Sequence, residues 1–389
     1  MSDPGGAIPE ASATEPAAMG LPVRLGLRYV RRLPIVERPS VDEVVHVLDS
    51  DERRALVRIE SHAVLGGVLV GAMASALGLA ATMGGEVLAV TIAGSDRVTA
   101  WSITVGTLAA IGLATVVEIV LIYRICLRAV HRMAIVAGVG VSSDAAEAEA
   151  TIASLVAAAI QMPASRRPMF GVDPLKRCPR WQVWLAAVLY KGKVFLSVLA
   201  AKLILRRLLS RVAVRELVPF VGVPITAAWD GFVCRRSLRD ARLRMFARSA
   251  AEEIIQRWDG LLRRDVAASE AALRAVACVA VEKRHLHDGL ERLLSRLARE
   301  ADVIEAIDDP DRLRQAIAGL GPECGESIRQ VLLLASVCDG RAQGRVASLL
   351  GFVLAMPTAD SRSMLREARR RFVRGDGVID PIGRRAEAE

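Results

Sequence analysis

Residues 62–83, HAVLGGVLVGAMASALGLAATM, contain no Asp, Glu, Lys or Arg. At about 1.5 Å per residue, a helix of this length covers a hydrocarbon core of roughly 30 Å. A second run, residues 98–123 (VTAWSITVGTLAAIGLATVVEIVLIY), is interrupted only by Glu118. The short link between them holds Glu86, Asp96 and Arg97. Two runs of spanning length predict a transmembrane hairpin, and the competing expectation is a buried helical hairpin in a large soluble protein.

The flanks orient the hairpin. Arg53, Arg54 and Arg58 precede the first run, and Arg124, Arg128 and Arg132 follow the second. The link has one Arg against two acids. Because positive charge is retained on the cytoplasmic side, both termini are expected there, with the link outside.

The rest of the chain is built differently. It is 52% hydrophobic with mean hydropathy +0.34, yet 24% charged, a mixture that implies separate apolar and charged regions. Abundant Ala and only 4% aromatic residues favour helix over strand. The expected fold class is all-α: a transmembrane helical hairpin plus cytoplasmic helical bundle domains. The expected division is a tail at 1–40, a helical lead-in and hairpin at 41–135, a basic helical region at 136–264, a helical domain at 265–373 and a second tail at 374–389. The first twenty residues have no basic segment followed by an apolar one, so they read as a tail rather than a secretory signal.

Net charge is +9, carried almost entirely by Arg. The arginines are not interleaved with aromatics, as single-strand nucleic-acid binders require, so no nucleic acid is expected. The expected partners are the lipid bilayer and its anionic headgroups, with a protein partner unspecified. Arg124, Arg128 and Arg132 would meet headgroups below the hairpin. Arg235, Arg239 and Arg242, spaced i, i+4, i+7, form a second basic stripe that reads either as a membrane-facing or as a solvated face.

Small residues recur at four-residue spacing: Gly67, Gly71 and Ser75 in the first run, Gly106, Ala110 and Ala114 in the second. Such faces let helices approach closely in lipid, either within the hairpin or in a homodimer through Gly67, Gly71 and Gly106. Glu118 continues the second stripe. An ionisable group inside a span is a functional candidate by default, with His62 a candidate partner, but a buried polar tie or a snorkelling acid is the reading favoured over an ion or proton role.

Residues 181–209 are apolar but hold Lys191, Lys193 and Lys202. A third span, an interfacial helix and a core helix with snorkelling lysines all remain open. In LVPFVGVP (217–224), Pro219 is expected to stop one helix, Gly222 to bend the chain and Pro224 to start the next. That next helix runs to about Arg264 and carries Asp230 as a candidate polar functional residue. Asp309-Pro310 opens a later helix, and Gly319 and Gly321 close it.

Motifs for chemistry are few. His285 and His287 are two apart and face different sides of a helix, so they are poor zinc ligands. The GVG near residue 138 lacks a third glycine and a preceding strand, so it is no dinucleotide loop. HExxH, GxSxG, Walker A and zinc-ribbon spacings are absent. Six cysteines without a CxxC pair read as reduced thiols. No catalytic residue, metal ligand or cofactor is expected.

The stretch VPFVGVPITAAWDGFVCRRSLRDARLRMFARSAAEEII resembles the EcsC family of bacterial membrane-associated proteins, over about residues 150–260. That family's pattern places an amide-bearing residue near the position of Asp230. LLLASVCDGR (332–341) resembles the Ala-Asp-Gly turn of TerB-like helical domains associated with tellurite resistance. There a Glu after the Gly helps form an acidic metal site; here Gly344 and Arg345 fall in that region. Both resemblances imply helical, cytoplasm-facing modules at the inner face of a bacterial plasma membrane. The function they imply is a membrane-anchored adaptor or scaffold, in envelope stress or transport-related processes. The alternatives are a hydrolase-like enzyme with its site near Asp230, or a small transporter using Glu118.

Overall fold

The structure is a computed structural model. It describes residues 26, 28–30, 32, 47–93, 96–137, 153–156, 168–176, 178–179, 181, 218–298 and 306–378. The calls on 1–25, on the 138–152 connector and on 182–209 lie outside the described residues.

The described residues form an all-α fold. Two long helices open it, α1 (Ser50–Leu88) and α2 (Arg97–Val136), with a π-helical turn, Ala89–Ala93, extending α1. α1 starts on a capping box, in which the Asp49 side chain accepts from the third helical residue and Glu52 reaches back to the Asp49 N–H. α2 starts on Asp96, whose carboxylate accepts from the backbone of Val98 and Thr99. Both helices overrun the apolar runs by several turns.

The two helices are antiparallel. A Cβ at Gly66 would rest 3.4 Å from Ile125, and one at Gly85 would strike Thr107. Their apolar stretches are long enough to cross a membrane, and they are bare: 17% of the first stretch is buried and 0% of the second. A core hairpin of a soluble protein would be covered on most sides. Here Leu65, Leu69, Met73 and Leu77 on α1 and Leu108, Leu113, Val116 and Val120 on α2 face outward.

α3 (Val218–Arg264) is the longest helix. It runs without interruption through Pro224, which corrects the expected corner at PFVGVP. A proline in the second turn forfeits one backbone hydrogen bond, and packing against two neighbouring helices outweighs that loss. α3 lies antiparallel to α1: Ala227 and Asp230 face Gly71, Cys234 faces Gly67, and Arg242 ion-pairs with Glu60 at 3.0 Å.

The second half of α3 joins a helical bundle. Its centre is α4 (Val266–Lys283), in which every residue from Ala271 to Val281 is buried. Around it pack α5 (Asp288–Leu297), α6 (Pro310–Ala318), α7 (Pro322–Val337) and α8 (Gly344–Val353), and α9 (Thr358–Arg374) lies against α7 and α8. α6 begins at Asp309-Pro310 as expected, with Asp309 capping the N–H of Asp311. Gly319 closes α6, whereas Gly321 caps the start of α7. α3 approaches α5 so closely that a Cβ at Gly289 would come within 2.7 Å of Ala247. Phe246 on α3 stacks edge-on with Phe372 on α9.

The bundle is also fastened to the base of α1. The Leu48 N–H donates to the Gly375 carbonyl at 2.8 Å, and Arg53 donates to Asp376 at 2.7 Å. The hairpin, α3 and the bundle therefore share one continuous core.

Candidate functional site: a carboxyl pair over a glycine face

The two polar candidates of the apolar region meet. Glu118 on α2 and Asp230 on α3 lie close enough to interact electrostatically. Asp230 is only 7% exposed, and its Oδ2 has no hydrogen-bond partner. Gly71 on α1 makes the space: a Cβ there would lie 3.0 Å from the Asp230 carboxyl carbon and 3.2 Å from the Ala227 Cα. About one turn nearer the arginines, Gly67 does the same for Cys234, with a Cβ at 2.6 Å from its Sγ. Gly231 returns the favour, its missing side chain leaving room for Val68. α1 and α3 thus close on each other through glycines beside Asp230.

Among the described residues no cluster of three or more His, Cys, Asp or Glu side chains is arranged to hold a metal ion. His62, the candidate partner of Glu118, is instead exposed on α1, three turns closer to the helix start than Glu118's level.

One turn and more below the acids, Cys126 and Cys234 bring their sulfurs to 3.7 Å. Both are buried, and all six cysteines are free.

The small-residue stripes divide. Gly67 and Gly71 are buried against α3 of the same chain, while nothing lies within 4 Å of a Cβ at Gly106. The basic candidates divide too. Arg124 sits over the Tyr29 ring at 5.9 Å, Arg128 donates to the Tyr29 hydroxyl at 2.6 Å, and both remain exposed along with Arg132, Arg235 and Arg239. Arg242 is half-buried in its pair with Glu60.

Sequence reading missed a second polar cluster, where α3 enters the bundle. Arg244, 6% exposed, donates to Asp240 at 3.0 Å and to both oxygens of Asp288 at 3.0 and 2.9 Å. Burial alone would raise the Asp288 carboxyl, but Arg244 and the other neighbours, the Ser154 hydroxyl among them, together hold the group below the usual range. Next to it, His287 caps α5, its Nδ1 accepting from the Gly289 N–H. Burial pushes the His287 imidazole down to about 4, so it is neutral.

Asp339, in the Asp-Gly turn, receives the Lys283 ammonium at 2.5 Å, with His285 Nε2 3.4 Å from its other oxygen. Burial opposes ionisation here as well, yet His285 and Lys283 hold the carboxylate well below its ordinary value. Gly340 follows at φ +67° because the tight turn needs a left-handed residue, and its bare Cα admits Leu243. The turn's acid is thus committed to a cation of the protein itself.

Comparison with known proteins returns no match: no family model fits the chain, and no curated protein or solved structure shows significant similarity to it.

Proposed function

We propose that this protein is a membrane-anchored adaptor, held by the α1–α2 hairpin and presenting the α3–α9 bundle to a partner on the cytoplasmic face of a bacterial plasma membrane. The observation that carries the reading is the contrast between the bare apolar stretches of α1 and α2 and the fully buried centre of the bundle attached to them. Water would not tolerate the first, and the second needs nothing further. The exposed arginines at the lower ends of α2 and α3 suit anionic headgroups. The EcsC-like stretch is α3 in this reading, and the TerB-like turn is a structural corner of the bundle. Asp339, spent on Lys283, supports a docking role over metal chemistry. The test is fractionation of cells expressing the full chain: it should stay with the membrane pellet through high-salt and alkaline extraction. Release at alkaline pH would refute the anchor.

The Glu118–Asp230 contact favours a second reading, in which the hairpin and α3 move a proton or small cation. It is tested by Asp230→Asn in proteoliposomes carrying a pH-sensitive dye. Proton flux lost in the variant supports it; no flux in either protein removes it.

A further inference from the structure

Ile225, Trp229 and Phe232 are exposed by 45%, 52% and 53%, and at i, i+4, i+7 they form one stripe on the outside of α3. The inner side of the same turns, Ala227, Asp230, Gly231 and Cys234, is buried on α1 and α2. A surface helix in water is apolar on one side only; this segment is apolar on both, with its one acid turned inward. The neighbouring helices α1 and α2 also carry exposed apolar side chains. The stripe ends at exposed Arg235, Arg236 and Arg239. Because Cys234 touches Cys126, Arg235 and Arg236 on α3 leave at the same level as Arg128 on α2. Cations at one level on neighbouring helices mark a headgroup boundary.

We propose that the first third of α3, from Val218 to Cys234, is a third membrane-embedded helix, with Ile225, Trp229 and Phe232 packed against lipid acyl chains. The proposal rests on the membrane reading of α1 and α2. Its seventeen residues cover about 25 Å of a hydrocarbon core of roughly 30 Å. The register with α1 gives its direction. Arg242 meets Glu60, Cys234 meets Gly67 and Ala227 meets Gly71, so Val218 stands about level with Met83, toward the link end of the hairpin.

Depth-dependent fluorescence quenching tests this on the full chain. The protein has five tryptophans, Trp101, Trp181, Trp184, Trp229 and Trp258. Two single-tryptophan proteins, keeping Trp229 or Trp101 with the others replaced by Phe, are reconstituted into bilayers brominated deep in the acyl chains or near the headgroups. Trp229 should be quenched more by the deep bromines and be insensitive to aqueous iodide. Trp101, at the link end of α2, should be quenched by bromolipid and so report the hairpin independently. If Trp101 is quenched by bromolipid and Trp229 only by iodide, the proposal is overturned and the hairpin stands. If neither responds to bromolipid, the membrane reading fails and takes the proposal with it. Should the multiple replacement fold poorly, Trp229→Phe in the otherwise native chain decides by difference: loss of the deep-quenched component supports the proposal, and its persistence overturns it.

Discussion

Asp230 on α3 faces Gly71 on α1 so closely that any side chain at position 71 would press on its carboxyl. The glycine is therefore a condition for the acid to be where it is. Gly71→Leu and Gly67→Leu should each destabilise the protein by about 1–3 kcal/mol through overpacking. Gly106→Leu, with open space around it, should stay within about 0.5 kcal/mol. Thermal unfolding in detergent ranks the three. Equal effects at all three positions would contradict the packing.

The sulfurs of Cys126 and Cys234, at 3.7 Å, are close enough for a small approach to give a disulfide. Mild catalysed oxidation of the purified protein should consume two thiols, joining the α2 and α3 peptides within one chain in a non-reducing digest. Cys126→Ser should abolish the joined peptide. Its absence from the native protein would mean α2 and α3 do not pack as described.

The Lys283 and Asp339 side chains are 0% and 3% exposed. Removing one partner of such a pair strands a buried charge, at a cost of about 3–5 kcal/mol. Lys283→Met should show that loss in denaturant unfolding. The double variant Lys283→Met/Asp339→Asn should recover much of it, because no uncompensated charge remains.

His287 makes folding pH-dependent. Its ordinary value is 6.5, and burial lowers it to about 4 in the folded protein. Between these values the unfolded chain binds the extra proton, so stability is fully present above about pH 6.5 and is lost as pH falls toward 4. The loss over that window is on the order of 3 kcal/mol. His287→Asn, which keeps a capping side chain, should flatten the slope between pH 6.5 and 4. An unchanged slope would place the dependence elsewhere.

What the sequence made legible was local. The two apolar runs, the Asp309-Pro310 start and the Asp339-Gly340 turn depend on neighbours in the chain, and each lies where local rules put it. The helical lead-in was legible too, and from Ser50 onward it forms the first turns of α1. PFVGVP misled because two prolines and a glycine ordinarily break a helix. Pro219 falls in the first turn of α3, where a missing N–H costs nothing, and only Pro224 lies inside the helix, just before the turns that meet α1 at Ala227 and Asp230. Glu118 and Asp230 were each singled out by being acids in apolar surroundings, but their meeting depends on the α2–α3 register. The Arg244–Asp288 and Lys283–Asp339 pairs left no signal, since in a chain rich in Arg and acids any of many pairings was open.

The central claim is that the hairpin crosses a membrane with the bundle on the inner side. Cysteine labelling with a membrane-impermeant maleimide tests it most directly, using Ser95→Cys in the link and Ser363→Cys on the exposed face of α9. Cys178 and Cys324, the thiols that are not buried, are first replaced by Ser. Intact spheroplasts should label Ser95→Cys at once and Ser363→Cys only after permeabilisation. If both sites label only after permeabilisation, or both label before it, the hairpin does not cross and the account is wrong.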